Sequence, residues 1–227
     1  LVGAMVSGVL ADRLGRKPLL LISAFIFLVS AYGTGAFDEF SIFLIVRFIG
    51  GIAIGIASGL SPMYIAEVAP SNIRGKLVSL NQLTIVLGIL GAQVVNYLIA
   101  EPMLAGTTVP ALESWNVQMG WRWMFWSAAF PAGLFLVLAC FIPESPRWLT
   151  MKGMTEQASQ ILTNIGGKEY ADKEISAVLA GKAKDATEKQ GGLKMLFSKP
   201  FRLVLLIGVV IAVFQQLSLI HISEPTR

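Results

Sequence analysis

The sequence predicts an all-α membrane protein. Hydrophobic residues make up 55% of the 227 and charged residues only 14%, against about 45–50% and about 25% in a soluble domain. The mean hydropathy is +0.68. The apolar residues also fall into long runs parted by short polar turns, and a spanning helix needs about 20 such residues. With so few charges the chain cannot cover a water-facing surface, so lipid is its solvent.

Taken in order, a partial span runs to about Leu10, followed by spans at Pro18–Phe37, Ser41–Ala66 and Lys76–Ala100. Two more cover Trp121–Ile142 and Phe201–Ile220. The connecting segments alternate in charge. Fifteen of the 18 Lys and Arg fall in 12–17, 67–76 and 143–202, while 38–40 and 101–120 carry none. The positive-inside rule makes the basic side cytoplasmic. This explains the pI near 9.3 without nucleic acid, and it explains why "GVLADRLGRK" packs four charges into one tight turn. Trp115, Trp121, Trp123 and Trp126 cluster at the opposite edge, where an aromatic belt belongs.

The segment 143–199 is too polar to span. Thr155 opens a helical pattern through Ala158, Ile161, Leu162 and Ile165 that stops at Gly166-Gly167. A weaker pattern follows from Tyr170 to Ala180. Short helices under the membrane are expected. The lone Cys140 allows no disulfide framework, and the sequence offers no metal cluster, nucleotide loop, cofactor motif or nucleophile–base pair.

Polar groups inside spans carry the chemistry. Arg47 lies about 9 Å of helix rise into its span. An unpaired Arg near the bilayer centre costs at least about 2.5–3.5 kcal/mol, so it either reaches the outer interface or pairs with an acid outside the chain; the second is favoured. Gly51, Gly55 and Gly59 leave one face of that helix bare for close packing. Gln82, Gln215 and Gln216 are amides in hydrocarbon. An unsatisfied one costs several kcal/mol, and an amide, both donor and acceptor, matches a hydroxyl. A polar cavity is favoured over helix–helix contacts, with Ile85 and Ile89 forming an apolar wall beside Gln82.

These stretches together resemble the sugar porters of the major facilitator superfamily. "GVLADRLGRK", "RFIGGIAIG", "PMYIAEVAPSNIRGKL", "NQLTIVLG", "PESPRWL" and "FQQLS" stand in the family's order. The resemblance covers residues 1 to 218. It implies a major facilitator fold, with this chain supplying most of the second through seventh transmembrane helices. Residues 1–142 would be a partial N-terminal bundle, 143–199 a cytoplasmic linker, 200–218 the start of the C-terminal bundle and 219–227 a non-native tail. The first helix and the rest of the C-terminal bundle would lie outside the chain, which begins in mid-helix. After Ser218 the family's Gly-x-Asn is replaced by "LIHISEPTR".

The resemblance further implies transport of a monosaccharide, xylose-like by preference, by alternating access and with proton coupling in the bacterial inner membrane. Gln82, Gln215 and Gln216, with Ile85 and Ile89, would hold the sugar. Arg47 would be the proton-coupling partner. Asp12, Arg13, Arg16, Glu67, Arg74, Glu144 and Arg147 would form a cytoplasmic gate between the two halves. Competing classes are a transporter-like sugar sensor, which needs a signalling tail, a membrane enzyme, which needs clustered catalytic groups, and a truncated fragment without function.

Overall fold

A computed structural model describes residues 2–101, 114–187, 203, 206–210 and 214. The chain divides into two compact units, Leu1–Leu179 and Ala180–Arg227. In the second, residues 206–210 are helical, with Leu206, Ile207, Val209 and Val210 exposed. Most of the expected span Phe201–Ile220 and the whole tail 219–227 lie outside the described residues.

The first unit is a helical bundle, and no strand occurs among the described residues. Helix α1 covers Val2–Leu14, α2 Arg16–Ala36, α3 Phe40–Val68 and α4 Arg74–Ile99. After a π-helical turn at Asn116–Gly120, α5 covers Trp121–Ser127 and α6 Ala129–Phe141. The segment after the bundle carries α7 (Pro146–Met151), α8 (Thr155–Gly166) and α9 (Lys168–Thr187). Arg16–Ala36, Phe40–Val68, Arg74–Ile99 and Asn116–Phe141 are each long and apolar enough to cross a membrane.

Three expectations need correction. The charged turn at 12–17 is a single non-helical residue: α1 continues through Asp12 and Arg13 to Leu14, and α2 begins at Arg16. The span expected at Trp121–Ile142 begins earlier, at Asn116, and is interrupted at Ala128. Pro131 explains the interruption, because it has no N–H for the Ser127 carbonyl and its ring crowds that carbonyl. The glycine face of α3 also divides. A Cβ on Gly55 would stand 3.0 Å from the Ala4 nitrogen and one on Gly59 2.8 Å from Ser7 Oγ, whereas Gly51 meets nothing within 4 Å. Gly50 instead faces Ser30 of α2, whose Oγ donates to the Val46 carbonyl at 2.8 Å. Thus α3 uses one small-residue face for α1 and another for α2.

The buried centre consists of Ala11, Leu19, Leu20, Ile56 and Leu60, with Leu10, Ile52, Met63, Tyr64 and Ile142 packed around it. It sits where α1 ends and α2 begins, and so forms the floor beneath the charged residues. Helix α4 is different, since none of its residues is buried.

Candidate functional site

The basic end is organised by a glycine and a carboxylate. Gly15 has φ 100° and ψ 163°, a region essentially confined to glycine. A Cβ there would lie 2.6 Å from Glu144 Oε2. The missing side chain lets Glu144 reach the start of α2. Its Oε1 accepts from the Arg16 amide at 2.9 Å, and both oxygens accept from the Lys17 amide at 3.2 Å. The Ser145 amide donates to Oε1 at 2.8 Å. A carboxylate from beyond α6 thus satisfies donors that a helix start leaves open, at the end where the helix dipole favours negative charge.

The Arg16 side chain turns back under this junction. Its Nε and Nη2 donate to the two oxygens of Glu67, each at 2.9 Å, and Nη1 donates to the Ala11 carbonyl at 3.0 Å. Nη2 also pairs with Asp12 at 3.1 Å. The Arg16 and Glu67 side chains are 7% and 8% exposed, while Asp12 is 74% exposed. Removing one partner of so buried a pair costs about 3–5 kcal/mol, whereas an exposed ion pair contributes about 0–1 kcal/mol. Glu67 therefore anchors the network and Asp12 decorates it. Ser145 Oγ donates to Glu67 Oε2 at 2.6 Å and accepts from the Trp148 amide at 3.3 Å. The Trp148 indole donates to the Asp12 carbonyl at 3.1 Å. The ends of α1, α3 and α6 and the starts of α2 and α7 are joined in one hydrogen-bonded cluster.

Of the seven residues expected at this gate, the structure brings together Asp12, Arg16, Glu67 and Glu144. Arg13 and Arg147 are exposed and make no ion pair among the described residues. Arg74 donates weakly to the Ala69 carbonyl at 3.4 Å, and its Nε is buried without a described partner. Arg74 and Arg147 border a cleft of about 690 Å³ together with Asp12, Arg16, Glu67 and Lys152. Tyr170 of α9 lies near the same arginine. Burial raises its phenol pKa first and Glu174 adds to the rise, while Arg74 opposes it. Sequence reasoning gave Ser145 and Trp148 no place in this network. The signal for Ser145 was its place before Pro146, the usual order of a helix cap and first residue.

Within the bundle, the Arg47 guanidinium lies over the Phe125 ring, 4.8 Å from its centroid. It is exposed and makes no ion pair among the described residues. An aromatic face can hold a cation electrostatically, an arrangement the sequence did not suggest. Gln82, Ile85 and Ile89 are exposed on α4, and the Gln82 amide has no hydrogen bond among the described residues. Asn81 and Ile85 border a cleft of about 250 Å³ with residues of α2, α3 and α6. Gln215 and Gln216 lie outside the described residues.

The opposite end has its own braces. Arg122 pairs with Asp38, donates to the Gly35 carbonyl at 2.8 Å, and stacks over Trp121. The Trp126 indole donates to the Tyr32 carbonyl at 3.1 Å. Trp126 thus bonds to α2 and Trp121 packs under Arg122, both half-buried.

A family model described as "Sugar (and other) transporter" matches residues 1–223. The chain belongs to this sugar transporter family. Its relatives include the arabinose-proton symporter of Bacillus subtilis (strain 168), 38% identical over 215 residues, which cover 95% of this chain and 44% of the relative. The D-xylose-proton symporter of Escherichia coli (strain K12) is 40% identical over 235 residues, covering 95% and 45%. Among solved structures, the proton:xylose symporter XylE bound to 6-bromo-6-deoxy-D-glucose superposes with a TM-score of 0.80 at 39% identity, over 95% of this chain and 46% of that one. The partially occluded inward-open form of XylE from E. coli gives 0.77 at 38% identity, covering 95% and 49%. The likeness to a bacterial xylose symporter and the major facilitator fold are therefore established, and the chain spans about half the length of the curated relatives it matches. It is a multi-pass membrane protein of a family of transporters rather than enzymes.

Proposed function

We propose that this chain supplies most of the N-terminal half of a monosaccharide transporter that works by alternating access, coupled to protons and favouring a pentose such as xylose. The observation that carries the reading is its alignment, over 95% of its length, with symporters named for arabinose and xylose. In this reading residues 1–142 form the N-terminal bundle, 143–199 the linker and 200–218 the first helix of the second bundle. Gln82 presents its amide to sugar hydroxyls beside Ile85 and Ile89, and Gln215 and Gln216 answer from the second bundle. Secondary transporters bind at the midplane between repeats and rock around that site. Arg47 serves proton coupling, with the Phe125 face as a resting place for its guanidinium.

The basic end is the gate. The buried Arg16–Glu67 pair and the Glu144 cap hold the N-terminal bundle as one body. Arg13, Arg74 and Arg147, which lack described carboxylate partners, are the groups left to pair across to the second half.

The test is Gln82→Ala in a full-length transporter carrying this segment. Losing one hydrogen-bonding partner of the bound sugar should weaken its binding by about 1–3 kcal/mol, read by equilibrium binding of labelled xylose. Unchanged affinity in a folded variant would remove Gln82 from the site.

A further inference from the structure

Helix α4 presents three chemically distinct arcs. At about 100° per residue, Leu77, Leu80, Asn81 and Thr84 share the side that lines a cleft with Tyr64 and Val68 of α3. A second arc, centred about a quarter of a turn away and adjoining the first at Leu98, holds Leu83, Leu87, Leu90, Val94 and Leu98, all apolar and exposed. The third holds Gln82, Ile89, Gln93 and Asn96, which fall within about 60° of one another. Its centre is about 140° from the α3 side and about 130° from the apolar arc. The three amides on this arc make no side-chain hydrogen bond among the described residues, and no residue of α4 is buried.

Amides are costly against hydrocarbon, and α4 already has an arc, apolar from Leu83 to Leu98, that is suited to lipid. The amide arc is thus suited to hydrogen-bonding partners. Gln93 and Asn96 stand about 16 and 21 Å of helix rise beyond Gln82, toward the end opposite the charge network. That end is held in place: the Asn116 side chain accepts from the Glu101 amide at 2.9 Å and donates to the Glu101 carbonyl at 2.8 Å, and the Trp115 indole donates to the Ile99 carbonyl at 3.4 Å.

We propose that Gln93 and Asn96 form an outer sugar-contact stretch, lining the aqueous approach to the central site and hydrogen-bonding the hydroxyls of an incoming monosaccharide. The inference rests on the transport reading above. A carboxamide donates and accepts, and so can follow a polyol whose hydroxyls do both. Successive amides on one arc let a sugar exchange partners as it descends.

The experiment uses the full-length transporter with its cysteines, Cys140 included, replaced by serine. Gln93→Cys and Asn96→Cys should react with a membrane-impermeant maleimide, and saturating D-xylose should slow both. Leu90→Cys and Val94→Cys, on the apolar arc, should stay unlabelled. Gln93→Leu should raise the KM for D-xylose uptake about 3- to 10-fold, with kcat little changed, and Gln93→Asn should recover part of the loss. Equal labelling of both arcs, no labelling of the amide arc, or labelling with no xylose protection would overturn the proposal. Gln82→Ala separates the two readings. If it loses affinity while Gln93 and Asn96 are silent, only the outer stretch falls. If Gln93 and Asn96 respond while Gln82→Ala does not, the central assignment falls.

Discussion

Gly15 and Glu144 show how much one residue can decide. Gly15 permits a backbone conformation closed to other residues and leaves room for a carboxylate against the start of α2. Gly15→Ala meets both obstacles, strained φ and a Cβ 2.6 Å from Glu144 Oε2. It should cost about 1–3 kcal/mol, read as a lower unfolding midpoint in detergent. Glu67→Ala should cost more, about 3–5 kcal/mol, because it strands the buried Arg16 charge. Asp12→Ala, at 74% exposure, should leave the midpoint nearly unchanged. Equal effects of the Glu67 and Asp12 substitutions would refute the division of the network into anchor and decoration.

At the scale of elements, the small residues of α1 and α3 set how closely those helices approach. Gly3 packs against the Ile52 carbonyl, while Gly55 and Gly59 lie against Gly3, Ala4 and Ser7. Gly55→Val would drive two methyl groups into backbone, and overpacking of this kind costs about 1–3 kcal/mol. Gly51→Val faces open space and should be silent. A thermal-shift comparison of the two variants checks the assignment. The cap of α8 illustrates the opposite case, where the local signal sufficed: Gly167 has φ 86° and ψ 172° and ends the helix that Thr155 starts.

For the whole molecule, the two ends of the bundle have different characters. The basic end carries the Arg16–Glu67–Glu144 cluster with three further arginines around it. The opposite end is closed by Arg122, Asp38 and tryptophan donors. Under the gate reading, Arg74→Ala or a paired Arg13→Ala and Arg147→Ala should shift the full-length transporter toward its inward-open state with little change in site affinity. Distance measurements between spin labels across the basic face check this. Unshifted distances would mean that these arginines only orient the protein in the membrane.

What the sequence determined by itself follows from short-range rules. Apolar run length placed α2, α3 and α4 to within two residues at either end, because a spanning helix must satisfy its backbone internally. Charge alternation sorted the helix ends, and the structure gathers Arg16, Glu67 and Glu144 at one of them. The ordered stretches from "GVLADRLGRK" to "FQQLS" indicated the family. Tertiary structure decided the partners. Nothing in sequence spacing says that Glu144 caps α2 across 128 residues, that Ser145 binds Glu67, or that Arg47 rests on Phe125. Nor could glycine spacing alone tell Gly55, which meets α1, from Gly51, which meets nothing. Such choices depend on which faces come together, and packing between elements distant in sequence sets them.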